Sequence, residues 1–193
     1  MKKVLLSGLI ALGWFHLCFA YQGVEGLWVG ASETEVNPQQ GAYIAGHTLN
    51  RKFTGLHDSL FAKAVVISDR KNSVAILTVD CIGMLYTHLE SIRSMVAARI
   101  GDPSFPVSQI VLSSTHSHAG PDVVGLWGPD RMHSGVDPEY IELLVERCAM
   151  QVVKAKAKLQ RVTARYAISS FGSDWVHNIS QPGELDRSLT VLQ

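Results

Sequence analysis

The sequence predicts an α/β fold, a mixed β-sheet with flanking helices. Three observations predict it. Strand-like and helix-like segments follow the order β-β-α-β-α-β-β. Phe61–Ser68 and Ser73–Asp80 flank the turn residues Asp69-Arg70-Lys71-Asn72, which is a hairpin pattern. Two segments carry apolar residues at helical spacing.

In chain order, the first segment is not part of the fold. Lys2 and Lys3 form a basic start, an apolar run extends from Val4 to Phe19, and Ala20 closes it with small residues where a signal peptidase reads. Residues 1–20 are therefore expected to be a signal peptide, with cleavage before Tyr21. The run is short for a bilayer span, so no transmembrane span is expected after cleavage, and the product is placed as secreted or periplasmic. Leu27–Ala31 is a short strand candidate. Gly41 to Gly46 has glycine at both ends, as in a loop that approaches another group closely. Val74–Val79 is nearly all apolar and reads as a strand covered on both faces. Thr87 is placed as the cap of a helix to about Ile100, with Leu89, Ile92, Met95, Val96 and Ile100 on one face. Gln109–Ser114 is a strand and Thr115–Val136 a loop. Asp137-Pro138 opens a second helix to about Leu159, with Leu144, Cys148, Val152 and Ala155 repeating along it. Arg161–Ser169 alternates as one half-exposed strand. Leu189–Gln193 begins another, so the chain stops within a strand-like run, as one part of a longer domain does; that last strand is expected to lack a partner.

Lys+Arg and Asp+Glu both number 17, so the formal charge is zero, and nucleic acid is not expected as a partner. Losing residues 1–20 removes two lysines and no acid and makes the rest slightly acidic. An apolar fraction of 47% against 18% charged is enough for a folded core. The three cysteines are too few for a disulfide scaffold. Cys81 and Cys148 remain after cleavage. They either pair or, as their places at a strand end and in mid-helix suggest, stand as small buried apolar residues.

The chemistry concentrates in Thr115-His116-Ser117-His118-Ala119-Gly120-Pro121. Residues two apart on an extended backbone point to the same side, so His116 and His118 converge on one point. Imidazole nitrogen suits zinc at about 2.0–2.1 Å, and the carboxyl end of a strand is where α/β proteins place their sites. Two unliganded loop histidines are the bland alternative, and the preceding strand and following Gly-Pro turn weigh against it.

This motif resembles the Thr-His-Thr-His-Ser-Gly-Pro signature of the neutral/alkaline, non-lysosomal ceramidases. Val29-Gly30-Ala31, the Gly41–Gly46 loop, Phe61–Ile67, Val79-Asp80 and Asp186–Leu192 fall in the family's order, so the resemblance covers about residues 27–193. It implies that residues 21–193 are the N-terminal part of a larger catalytic domain. It also implies a zinc-dependent amidohydrolase that splits the N-acyl bond of ceramide, or a related lipid amide, into sphingosine and fatty acid. By the same resemblance His116 binds zinc, His118 lies beside the substrate as a catalytic residue, and Gly120 lines the substrate. The family's other zinc ligands and its serine fall beyond Gln193. Asp122–Pro129 stands where the family has a glycine-rich run, a pattern closer to a bacterial ceramidase-like branch, and Asn178-Ile179-Ser180 lacks the family's arginine.

Asp80 ends a buried strand and is a candidate to orient a ligand histidine from behind. His47 and the pair His57-Asp58 sit near the glycine loop and are either site-facing or surface groups. Trp127 is a candidate lipid contact or plain packing. His133 and His177 have no partner readable in the sequence, and Asn178-Ile179-Ser180 also fits a glycosylation sequon. A sphingolipid substrate brings peripheral membrane contact with it. Two other readings stand beside the enzyme: a non-catalytic remnant or lipid-binding module of the same fold, and a zinc hydrolase of a different amide or ester.

Overall fold

The computed structural model describes residues 24–170, 172 and 176–193. The expected export signal, residues 1–20, lies outside the described residues. The chain divides into two units, Glu25–Thr163 and a second that includes Ala164–Gln193.

The first unit is built on a sheet ordered β4-β3-β2-β1-β5. These strands are β1 (Val24–Glu35), β2 (Phe61–Ser68), β3 (Ser73–Val79), β4 (Ile110–Ser114) and β5 (Gln160–Ala164). β1–β2 and β2–β3 are antiparallel and β3–β4 is parallel, so the sheet is mixed as expected. The Asp69–Asn72 turn closes the hairpin. Asp69 Oδ1 accepts from Lys71 N and Asn72 N, and these bonds hold its carboxyl below the ordinary range. β1 is longer than Leu27–Ala31. It continues through Glu33, which pairs with Lys63 at 3.3 Å, and ends at Glu35. Charged residues on the open face of a strand do not interrupt it.

Two helices complete this unit, α1 (Tyr86–Ile100) and α2 (Pro138–Ala157). Asp137 caps α2 by accepting from Glu139 N and Tyr140 N. Leu144, Cys148, Val152 and Ala155 are all buried. α2 lies on the sheet: Gly30 of β1 is so close that a Cβ there would sit 2.0 Å from Ala155 O. Nearby, Ser32 Oγ donates to the buried Gln151 Oε1 at 2.8 Å, and Tyr140 Oη donates to Val36 O at 2.6 Å. α1 packs against α2, with Ile92 and Val96 fully buried. Thr87 does not cap α1. The helix starts two residues after Met84, Leu85 stands at the cap position, and Leu85 N donates to the His88 ring at 3.3 Å.

β3 is covered on one face only. Ala75, Leu77 and Val79 are buried, while Ile76 is 42% exposed. Register places Ala31, Val65, Ile76 and Val111 in one row across four strands on the open face. The apolar run of β3 thus follows from its central place in the sheet. Cys81 and Cys148 are both buried and free. They are small core residues, and burial pushes both thiols up, Cys148 to about 12.

The segment expected as one strand from Arg161 to Ser169 is two. β5 belongs to the main sheet. β6 (Tyr166–Ser170) pairs antiparallel with β7 (Ser188–Leu192) in the second unit, with Tyr166 opposite Leu192. Arg165 and Gln193 extend that ladder with two 2.8 Å backbone bonds. The last strand therefore has a partner, contrary to expectation. Its partner comes from the second half of an alternating run that continues through the change of sheet without a break in phase.

Candidate active site

The parallel pair β3 and β4 delivers its carboxyl ends side by side, which brings Asp80–Ile82 next to Thr115–His118. The pairing runs on past the strands: Thr115 N donates to Val79 O at 3.0 Å and Ser117 N to Cys81 O at 3.2 Å. Between these two bonds His116 is not extended. Its φ is +59°, a left-handed conformation that histidine adopts uncommonly. The two rings nevertheless meet, with centroids 5.0 Å apart and planes at 72°. The kink turns the His116 ring so that Nδ1 lies 2.7 Å from Ile82 O. A carbonyl oxygen only accepts, so Nδ1 carries the hydrogen, and Nε2 of the neutral ring keeps its lone pair.

Asp80 stands at the end of β3, beside the motif. Its Oδ2 accepts from Phe61 N at 2.8 Å, pinning the start of β2 to the end of β3. The group behind the His116 ring is the Ile82 carbonyl. Sequence gives no sign of this, because any residue supplies a carbonyl. Gly120 is buried, and its carbonyl accepts from Ala45 N at 3.0 Å.

That last bond belongs to a second structural device. Residues 43–50 lie against residues 120–128. Asp122 N donates to Tyr43 O at 2.7 Å, Ile44 bridges to Pro121, and Asn50 N donates to Gly128 O at 2.8 Å. The Gly46 φ is +89°, and a Cβ there would stand 2.3 Å from His118 Cγ. Glycine is required by both the dihedral and the space. The loop thereby sets His47 beside His118, with centroids 5.5 Å apart and planes at 81°. Trp127 Nε1 donates to His47 O at 3.0 Å, so the tryptophan fixes this loop.

Asp122 holds the other half. It is 1% exposed, and its carboxylate accepts from Val124, Gly125, Trp127 and Gly135 backbone N–H groups at 2.8–3.3 Å. Four converging donors compensate its burial. On the Thr115/Ser117 side of the motif lies a groove of about 600 Å³, lined by Arg51, Phe53, Leu56, Leu60 and Asp80 among others. His57 and Asp58 pair at 2.6 Å on its rim, almost fully exposed. His133 pairs with Asp130 at 2.7 Å. Asn178 Oδ1 caps a turn by accepting from Ser180 N and Gln181 N.

No family model matches the chain. A neutral ceramidase of Drosophila pseudoobscura pseudoobscura is 26% identical over 122 residues, which is 63% of this chain and 17% of that protein. Two solved structures, a ceramidase complexed with C2 and the neutral ceramidase from Pseudomonas aeruginosa, each superpose with a TM-score of 0.68. Each is 17% identical and covers 88% of this chain and 29% of its own. The chain shares the fold of part of these two ceramidase structures. It spans less than a third of the length of each of these relatives. The main sheet carries the histidine motif at its strand ends, and among the described residues no helix is long and apolar enough to cross a membrane.

Zinc is the group the resemblance implies. The chemistry of His116 fits it: one ring nitrogen is tethered to a carbonyl, and the other has no partner among the described residues. Among the described residues, however, no group of three His, Cys, Asp or Glu side chains is arranged to hold a metal. His116 therefore fits as one ligand of a set that these residues do not complete.

Proposed function

We propose that this chain is the N-terminal part of a secreted or periplasmic zinc-dependent amidohydrolase. Its substrate is ceramide or a related lipid amide, cleaved to sphingosine and fatty acid. The observation that carries the reading is the His116 ring, held on Ile82 O within the motif with its other nitrogen free. Zinc, where bound, would polarise the amide carbonyl and lower the pKa of a water. The residues of this chain supply part of the site. His116 presents one ligating nitrogen in a fixed tautomer. His118, its ring 5.0 Å from that of His116, would take a proton from the attacking water and pass it to the leaving amine. The groove beside Thr115 and Ser117, with Phe53, Leu56 and Leu60, offers an apolar wall for an acyl chain.

The test is zinc content and turnover of a fluorescent N-acylsphingosine by the full gene product, with and without His116→Ala. The reading expects the variant to lose most of its zinc and at least about 100-fold in turnover. Unchanged zinc and activity overturn it. A second reading, a lipid-binding module without catalysis, is favoured by the incomplete ligand set among the described residues. It expects lipid binding with no turnover in either protein.

A further inference from the structure

A second concentration of charged groups lies at the other end of the sheet. β3 starts at the Asp69–Asn72 turn and ends at the histidine motif, so the two are roughly 20 Å apart along the strand. Beside the turn is a pocket of about 440 Å³ lined by Trp28, Arg70, Lys71, Phe105, Lys156 and Leu159 among others. Two of its cations sit over its aromatic rings. Arg70 Cζ lies 3.9 Å from the Trp28 centroid, and Lys156 Nζ lies 5.4 Å from that of Phe105. The arginine is held through its backbone: its φ is +71°, and Arg70 N donates to Ser68 Oγ, which donates in turn to Asn72 O. The nearby carboxylates are already engaged. Asp69 accepts from Lys71 N, Asn72 N and Asn72 Nδ2, and Asp102 accepts from Ser104 N and, at 2.9 Å, from Lys156 Nζ. The Arg70 guanidinium and the Lys71 ammonium therefore face the pocket with no hydrogen-bond or ion-pair partner among the described residues.

We infer that this pocket binds a phosphomonoester. Arg70, Lys71 and Lys156 against Asp102 leave its lining with a net formal charge of +2, and a phosphomonoester carries about −1.5 to −2 near neutral pH. A carboxylate offers two oxygens in one plane, which a single arginine satisfies. A phosphate offers three oxygens that point apart, enough to meet Arg70 and Lys71 together. A guanidinium stacked on a ring keeps its N–H edge for such a ligand, and it is less strongly hydrated than an ammonium. Trp28 and Leu159, both half-buried, line the same pocket and offer an apolar wall to the organic group of the ester. The inference does not depend on the amide reading above.

The test is titration of the isotope-labelled chain with phenyl phosphate, read from the Trp28 indole NMR signal. Millimolar or tighter binding is expected, and phenyl sulfate, a monoanion of similar shape, should bind at least about 10-fold more weakly. Arg70→Ala and Lys71→Ala should each weaken phenyl phosphate about 10-fold. Arg70→Lys keeps the charge but loses the fork, and should weaken it about 3-fold. Both side chains are exposed, so these variants leave the core intact. Lys63→Ala removes the same charge from the open face of the sheet and should leave binding unchanged. Sedimentation with phosphatidate vesicles distinguishes the source of the ester. Sedimentation that Arg70→Ala abolishes assigns a lipid headgroup, whereas phenyl phosphate binding without sedimentation assigns a soluble ester, and either supports the site. No binding of phenyl phosphate at about 10 mM, equal binding of phenyl sulfate or of inorganic phosphate, or a loss in Lys63→Ala as large as in Arg70→Ala would each overturn the inference.

Discussion

The left-handed backbone at His116 has a measurable cost. A side chain in this conformation is unfavourable by about 1–2 kcal/mol relative to glycine. His116→Gly and His116→Ala both lose the ring and its bond to Ile82 O, so their difference isolates the backbone. Glycine is expected to be the more stable by about 1 kcal/mol in urea unfolding, the reverse of the usual order in regular structure. Equal stability would show that the position carries no strain. The cysteines give a second residue-scale expectation. Burial raises the Cys148 thiol from its ordinary 9 to about 12, so the folded chain holds it neutral where the unfolded chain ionises. This contribution to stability is present below pH 9 and is lost as pH rises toward 12. At pH 8 a thiol reagent should label the denatured chain and leave Cys148 of the native chain untouched. Fast native labelling would contradict its burial.

At the scale of elements, the sequence was most readable where a side chain acts on its own neighbours. Asp137-Pro138 marks the start of α2 and Asp69–Asn72 closes the hairpin, because both are bonds made within three residues. Readability failed where the partner is distant. The division between β5 and β6 at Arg165 leaves the alternation of Val162, Ala164, Tyr166 and Ile168 intact, so only pairing reveals it. The start of α1 is set by the His88 ring rather than by a polar cap, which hid it. Within the site, the motif histidines were legible and His47 was readable only as a candidate near the glycine loop, whereas Ile82 was not legible at all. Ile82 contributes through a carbonyl and His47 through a cross-chain ladder. β1 yields the sharpest packing test. A methyl on Gly30 would overlap the Ala155 carbonyl of α2, so Gly30→Ala should cost about 2–4 kcal/mol. A loss below 0.5 kcal/mol would mean that α2 does not sit on this strand as described.

At the scale of the whole molecule, a catalytic zinc needs about three protein ligands, and the described residues offer no such group. The 193-residue chain alone is therefore expected to cleave an N-acylsphingosine at a rate close to background, even when dialysed against zinc. Chelator-sensitive turnover comparable with a full-length relative would disprove this. The way Asp122 gathers the loop has a further consequence, for the order in which the molecule assembles. Its four amide donors lie close by, but the surface it completes draws on residues 43–50, 80–82 and 115–128. Closing such distant segments carries the largest loss of chain entropy and is rewarded last. The site should thus be absent from the folding transition state, and Asp122→Ala should speed unfolding while leaving the refolding rate nearly unchanged. The region that carries the chemistry would then be the last to form and the first to open.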